Sequence, residues 1–462
     1  MDSASLQRRA GKQAFPAHQK PKRWRRITVQ TKDNELMCRV GRGTAMGTAM
    51  RRYWTPAMQS SDLPEPGGDP RRVVLLGDAY VAFRGEDGVV GVLDEGCCHR
   101  GVSLSLGRVE GCGIRCLFHG WKFAANGELI DAPNVADENF RKRVRAKSYP
   151  VREAGGLIWV YLGPAELEPA FPHYPWFDVE SKHRINAYLV EQCNYVQTME
   201  ALWDSSHLNF LHQGPLAHGG DIDLEFGKKT QNLLLSSAPR FEAEPTEFGF
   251  HYAAMRPDGD QEIARIQAFI PPYSEHNPNG DLWMSVVPID DHNSIYFHVW
   301  WDTSREIGEE PYRSEHLKYI GLDDEALRKF GMTYDSINDP AKPYIHNGFR
   351  QDRAAMRAGK SFSGFHSFTQ EDSAVLMSAG SLKDRSNEHL ATSDAGISML
   401  YRTLLKIAKS TETGEDPIGL NADPMQIIGR TAPIPASGKW QDLVPHKKPA
   451  KALASTEIES AE

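Results

Sequence analysis

At 462 residues the chain is too long for one ordinary hydrophobic core, so two folded domains plus tails are expected. Hydrophobic residues make up 40% and charged residues 25%, which excludes a disordered or fibrous chain. A net charge of −8 with neutral histidines excludes the basic footprint of a nucleic-acid binder. No apolar run reaches bilayer length and the start lacks a signal-peptide core, so a soluble, cytoplasmic protein is expected.

In chain order, residues 1–30 carry Arg8, Arg9, Lys12, Lys20, Lys22, Arg23, Arg25 and Arg26 with little apolar periodicity, and read as a flexible basic arm. Residues 31–165 turn to short strands, at 73–76, 80–83 and 89–93, with turns at Gly77-Asp78 and Asn126-Gly127. The apolar run 157–162 ends at Gly163-Pro164. This predicts a small all-β domain. The proline-rich stretch 166–175 reads as a linker into a larger domain reaching to about residue 430. Strands are predicted there at 248–255, 263–270, 282–287 and 294–301. Behind Ser393-Asp394, Ile397, Leu400, Tyr401, Leu404, Leu405 and Ala408 fall on one helical face. The fold class is therefore α+β, and residues 431–462 read as a polar tail.

Six cysteines, at 38, 97, 98, 112, 116 and 193, are too unevenly placed for a disulfide framework, which makes metal ligation their leading use. Cys97 and His99 are followed by Cys116 and His119, a C-x-H…C-x2-H pattern in which each loop mixes one thiolate with one imidazole. Two thiolates and two imidazoles suit a two-iron, sulfide-bridged centre of Rieske type, whose histidines raise the potential. A structural Cys2His2 zinc is the other occupant to weigh, although zinc fingers group like ligands together. Glycines 96, 101, 111, 113 and 120 would let backbone N–H groups approach the sulfurs.

Downstream, the segment NYVQTMEALWDSSHLNFLH contains Glu200, Asp204, His207 and His212. On a regular helix the two histidines would point about 140° apart, so convergence on one metal needs a helix end or an irregular turn. By spacing alone they fit solvated or core residues equally well.

The string CCHRGVSL…GRVEG…CLFHGWKF closely resembles the cluster-binding signature of Rieske proteins, with Cys98 where the family usually places proline. Cys97 is assigned as the ligand because it alone has the C-x-H spacing, and Cys98 and Cys112 are expected to be spectators. E-x3-D-x2-H-x4-H likewise resembles the iron-binding segment of Rieske oxygenase α subunits. TQEDSAVLMSAG resembles the part of phthalate-dioxygenase-like oxygenases that carries the third ligand. The resemblance covers nearly all of residues 35–410 and points to the phthalate 4,5-dioxygenase and aromatic O-demethylase group.

That resemblance implies an N-terminal all-β [2Fe–2S] domain and a helix-grip catalytic domain with an antiparallel sheet and helices. It further implies a mononuclear Fe(II) held by His207, His212 and Asp372, with Glu371 the rival third ligand because the family's glutamine falls on it. Asp204 would join His207 to His119 of a neighbouring subunit in a head-to-tail homotrimer. Electrons would come from NAD(P)H through a flavin and ferredoxin-type reductase, and the substrates would be O2 and an aromatic compound. For an aromatic acid, Arg265 and Arg256 are the candidate partners of the carboxylate. A Rieske electron carrier without oxygenase chemistry and a zinc-stabilised binding protein remain as alternatives, and the role of Glu200 stays open.

Overall fold

The computed structural model describes residues 29–219, 225–236 and 238–445. The basic arm therefore lies outside the described residues, except for Val29 and Gln30, as does the tail beyond 445. Among the described residues no helix is long and apolar enough to cross a membrane.

The N-terminal part is built from three small antiparallel sheets. One joins Trp54–Gln59, Leu157–Tyr161 and Val151–Ala154; a second joins Arg71–Leu75, Asp78–Arg84 and Val90–Asp94. The third joins Arg108–Glu110, Gly113–Arg115, Lys122–Ala124 and Leu129–Asp131. The hairpin predicted around Gly77-Asp78 turns one residue earlier, at Leu76-Gly77, with φ of 53° and 81°. A two-residue turn with both centres left-handed matches strand twist, and a leucine tolerates that conformation here because the tip is gripped from outside. The Leu76 and Gly77 N–H groups donate to the Pro288 and Ile289 carbonyls at 2.9 and 2.7 Å, docking the tip on the larger domain.

The larger domain is an eight-stranded antiparallel sheet. Its path runs Arg184–Glu191, Ser294–Trp301, Asp281–Pro288, Ser274–Asn277, Gln261–Ile270, Phe250–Asp258 and Arg240–Pro245. The eighth strand, Arg430–Pro435, pairs with Gln261–Ile266, and Trp440 behind it is buried and donates to Glu242 at 2.8 Å. The expectation of a loose tail from residue 431 is thus corrected as far as residue 445. Two prolines, Pro433 and Pro435, disguise that strand, and they are tolerated because it lies at an edge with only one hydrogen-bonding partner.

Two further expectations change. Residues 166–175 are not a loose linker, because Phe171, Tyr174 and the following Trp176 pack against Trp159 of the small domain, and Tyr174 and Trp176 also against Trp283 of the large sheet. The segment 31–50, assigned by sequence to the small domain, forms helices Thr31–Cys38 and Ala45–Met50 packed on the long helix Ala395–Thr413. One continuous core runs from Trp54 and Val73 to Leu400 and Ile407, so the two domains are fused rather than tethered.

The long helix buries Ile397, Leu400, Tyr401, Leu404 and Ala408, as its periodicity predicts, whereas Leu405 is only half-buried. Gly396 in its first turn touches the segment leading to Asp204, since a Cβ built there would lie 2.3 Å from the Trp203 carbonyl oxygen. Gly396→Ala should therefore displace the Asp204–His212 segment. The expected result is a lower melting temperature and weaker metal retention at that segment, read by calorimetry and metal analysis; an unchanged variant would contradict this contact.

Candidate metal centres and cavity

The two Cys-His loops have the same backbone design. Cys97 N–H donates to Val102 O at 2.8 Å and Gly101 N–H to Cys97 O at 2.8 Å. Cys116 N–H donates to Trp121 O at 2.8 Å and Gly120 N–H to Cys116 O at 3.0 Å. Each loop is thus closed by a left-handed glycine, with φ of 75° at Gly101 and 74° at Gly120. The designs differ in where histidine sits, two residues after Cys97 but three after Cys116, which turns both rings to the same side. The His99 and His119 centroids are 4.6 Å apart, and His99 stacks on Trp121 at 4.3 Å.

Both sulfurs are buried, at 2% and 3% exposure, above a core of Val81, Phe83, Ile114 and Phe123. Burial pushes the metal-free Cys97 thiol up to about 12, with the Cys116 sulfur adding to the shift. A metal that replaces the proton removes that penalty. His119 Nδ1 is buried with no hydrogen-bond partner among the described residues, as a ring waiting for a metal would be. Cys98 and Cys112 are exposed on the outer surface.

The second constellation forms where the chain leaves regular helix. The helix Tyr195–Leu202 starts at Asn194, whose side chain accepts from Val196 N–H and donates to the Cys38 and Asp291 carbonyls. It stops at Trp203, and Asp204 Oδ1 accepts from Ser206 N–H at 2.7 Å, an Asx turn that begins the short helix His207–Leu211. Arg256 holds this turn, donating to the Ser205 carbonyl at 2.9 Å, its hydroxyl at 3.1 Å and the Ser236 carbonyl at 3.2 Å. Arg256 is therefore a support for the metal segment rather than a carboxylate partner in the main cavity, of which it is not a lining residue.

His212 falls at the junction with the next short helix, Gln213–Ala217, and this break brings the two imidazole centroids to 5.2 Å. Asp372, from the helix Phe368–Ser378, completes the group: its Oδ1 lies 3.1 Å from His212 Nε2 and 3.7 Å from His207 Nε2. The three ligand atoms all lie within 4.8 Å of one another, a compact 2-His-1-carboxylate set. Among the described residues His207 Nε2 has no hydrogen-bond partner, and each histidine has a carboxylate behind Nδ1: Asp204 at 3.5 Å from His207 and Glu371 at 2.7 Å from His212. Glu371, the rival of Asp372, thus sits on the far side of the His212 ring from the three-ligand gap. Burial raises the Asp372 carboxyl, but His212 and His207 together hold it below the usual carboxylate range.

Glu200 faces away from the metal group. It is buried in a network with Arg385, with Lys383 at 3.2 Å and with the Tyr401 hydroxyl at 2.6 Å, tying the helix Tyr195–Leu202 to the long helix. Sequence reasoning left it open because its partners lie more than 180 residues away.

Beneath the His207–His212–Asp372 group lies a cavity. Its floor is the sheet: Leu189, Glu191, Leu282, Met284, Tyr296, His298 and Trp300 come from alternate positions on three adjacent strands and so share one face. Its roof is Leu202, His207, Leu208, His212, Phe368 and Asp372. At one side Arg265 enters the wall at 5% exposure, donating to Asn279 Oδ1 at 3.2 Å and to Gln267. Among the described residues it has no carboxylate in ion-pair range, and its Nη2 makes no hydrogen bond. Residues such as Asn277, Asn279 and His298 had no sequence signal, because only the register of distant strands places them here.

Comparisons with known proteins agree with this architecture. The family model Rieske [2Fe-2S] domain matches residues 53–150, and LigXa C-terminal domain like matches residues 160–461. The chain is 35% identical over 428 residues to the 3-chlorobenzoate-3,4-dioxygenase oxygenase subunit of Comamonas testosteroni, covering 89% of this chain and 96% of that one. It is 34% identical over 426 residues to the phthalate 4,5-dioxygenase oxygenase subunit of Pseudomonas putida, covering 89% and 93%. It is 27% identical over 415 residues to the 5,5'-dehydrodivanillate O-demethylase oxygenase subunit of Sphingobium sp., covering 88% and 86%. Among solved structures, NdmB of Pseudomonas putida CBB5 shares the fold with a TM-score of 0.54 at 15% identity over 84% of this chain and 98% of that one. Dicamba monooxygenase bound to dicamba does so with 0.51 at 16% over 79% and 99%. With a Rieske domain ahead of a matching catalytic domain, and relatives at this identity over nearly their whole length, the chain belongs to the Rieske non-haem iron oxygenases, as an oxygenase subunit of the phthalate 4,5-dioxygenase and O-demethylase-like group.

Proposed function

We propose that this oxygenase subunit hydroxylates or O-demethylates an aromatic carboxylate. Cys97, His99, Cys116 and His119 hold the [2Fe–2S] cluster, and His207, His212 and Asp372 hold the mononuclear iron. The observation that carries the substrate class is Arg265, a buried guanidinium in the cavity wall with an open N–H and, among the described residues, no carboxylate within ion-pair distance, Glu275 being linked to it through Gln267. A buried cation is costly unless paired, and a planar carboxylate is its natural bidentate partner. The apolar side chains between Arg265 and the metal group suit an aromatic ring. The relatives named for chlorobenzoate and phthalate point to the same class. The iron supplies activation of O2 with electrons passed from an NAD(P)H-dependent reductase; the chain's own residues bind the acid, orient its ring and exclude water.

We also propose the head-to-tail trimer, in which Asp204 links His207 to His119 of the partner subunit. It is supported by exposed apolar residues at both ends of such a contact, Leu117 and Phe118 beside the cluster and Phe210 and Phe362 beside the iron segment. A heterologous contact between two different patches closes into a three-membered ring when each step rotates by a third of a turn, and light scattering should then give the mass of three chains. A carrier without oxygenase chemistry has no use for the cavity or the three-ligand group.

Glu275 gives the substrate site a pH signature. Burial raises its carboxyl to about 7, and Gln267 bridges it to Arg265 by donating to Glu275 at 2.8 Å. As pH rises through about 7, Glu275 ionises and supplies Arg265 with an internal counter-charge, so affinity for an aromatic acid should fall between about pH 6 and 8. Titration of tryptophan fluorescence with a benzoate and with its neutral amide tests this. The benzoate should weaken with pH and the amide should not; parallel behaviour of the two would sink the carboxylate reading.

A further inference from the structure

The two metal-facing histidines are supported unequally. Asp204 lies 3.5 Å from His207 Nδ1 with both side chains about one-fifth exposed. Glu371 lies 2.7 Å from His212 Nδ1 with the ring 1% and the carboxylate 2% exposed. The other oxygen of Glu371 is held as well, accepting from the Ser363 hydroxyl at 2.5 Å. Ser363 Oγ in turn accepts from Phe365 N–H at 3.2 Å, so the carboxylate is fixed by a turn just ahead of its own helix.

We infer that Glu371 is a positioning residue that holds His212 in one tautomer and orientation and, through its charge, makes that ring the stronger donor to the iron. The inference rests on the iron-site assignment above. A carboxylate accepts only, so Nδ1 carries the proton and the Nε2 lone pair faces Asp372, on the metal side. In a buried, water-poor setting the charge behind the ring strengthens its electron donation and favours the more oxidised, more highly charged metal. His207 is backed by a looser carboxylate, about one-fifth exposed and 3.5 Å away, so the two ligands differ in rigidity as well as in donor strength. The site thus has one tightly hydrogen-bonded corner, formed by Ser363, Glu371 and His212, and a looser one at His207 and Asp204.

Glu371→Gln separates charge from shape. The amide oxygen still accepts from Nδ1–H while its NH2 turns to donate to the Ser363 Oγ that the carboxylate accepted from, so the ring keeps its partner while the negative charge is gone. Outer partners of metal ligands typically contribute about 10- to 100-fold in affinity. The protein loaded with its cluster should bind Fe(II), in anaerobic competition with a chelator, about 10-fold more weakly in Glu371→Gln, and the midpoint potential of the mononuclear iron should move to more positive values. Glu371→Ala should lose more affinity than Glu371→Gln. In both variants cluster absorbance should remain that of the parent, and in Glu371→Gln the melting temperature should stay close to it. Unchanged Fe(II) affinity and potential in Glu371→Gln would overturn the inference. If the parent itself takes up no iron beyond the cluster, the site assignment fails, and the inference with it. If the parent binds iron and Glu371→Ala binds it equally well, the inference alone fails.

Discussion

A His207→Ala variant should keep the cluster absorbance and lose substrate oxidation by at least about 100-fold, more than loss of a supporting contact typically costs. The two sites are built on separate elements: the cluster loops stand over a core of their own, and His207 stands on a short helix roofing the cavity. Removing one imidazole leaves the iron with His212 and Asp372 only. Iron content should therefore fall from about three per chain to about two, the cluster retaining both of its own. Cys116→Ser should do the reverse, losing the cluster spectrum and electron delivery while leaving the mononuclear site able to take up metal. Loss of cluster absorbance in His207→Ala, with oxidation retained, would mean the roles have been assigned the wrong way round.

Arg265→Met should weaken binding of aromatic acids by about 100-fold, corresponding to about 3 kcal/mol for removing one partner of a buried charge pair. The substitution keeps side-chain length and removes a charge that burial already disfavours, so stability should hold or rise. Neutral aromatics should bind the variant as well as the parent. Fluorescence titration of both ligand types checks this; equal losses for acids and neutral compounds would show Arg265 shaping the cavity rather than pairing with a carboxylate. Arg256→Met should behave differently, because its guanidinium holds the Ser205 turn, and so should disturb the metal segment before it disturbs the ligand.

Local chemistry explains which features were legible in the sequence. The cluster loops were readable because all four donors sit within two short turns whose glycines are fixed by backbone geometry. The strand Ser294–Trp301 was predicted to the residue because its β-branched and aromatic run is bounded by polar joins. The strand Arg184–Glu191 escaped notice, since its second half is buried on both faces and shows no alternation. The strand Arg430–Pro435 was concealed by its prolines. His207 and His212 could be recognised by resemblance but not by periodicity, because the turn that makes them converge depends on Asp204 and on Arg256, a residue from a distant strand. Between Glu371 and Asp372 the resemblance favoured Asp372, with Glu371 as its rival; helix geometry separates them, turning Glu371 toward Nδ1 of His212 and Asp372 toward both Nε2 atoms. The pocket polarity at Arg265, Asn277 and Asn279 is a product of sheet register alone.

The most direct test of the central claim is aerobic turnover of a panel of benzoates, phthalates and methoxybenzoates by the iron-loaded protein with a surrogate reductase and NADH, following substrate loss against O2 consumed. Loss of at least one aromatic acid in step with O2, abolished in Asp372→Ala, is the expected result. O2 uptake with no loss of any acid, while a neutral aromatic is consumed, would contradict it.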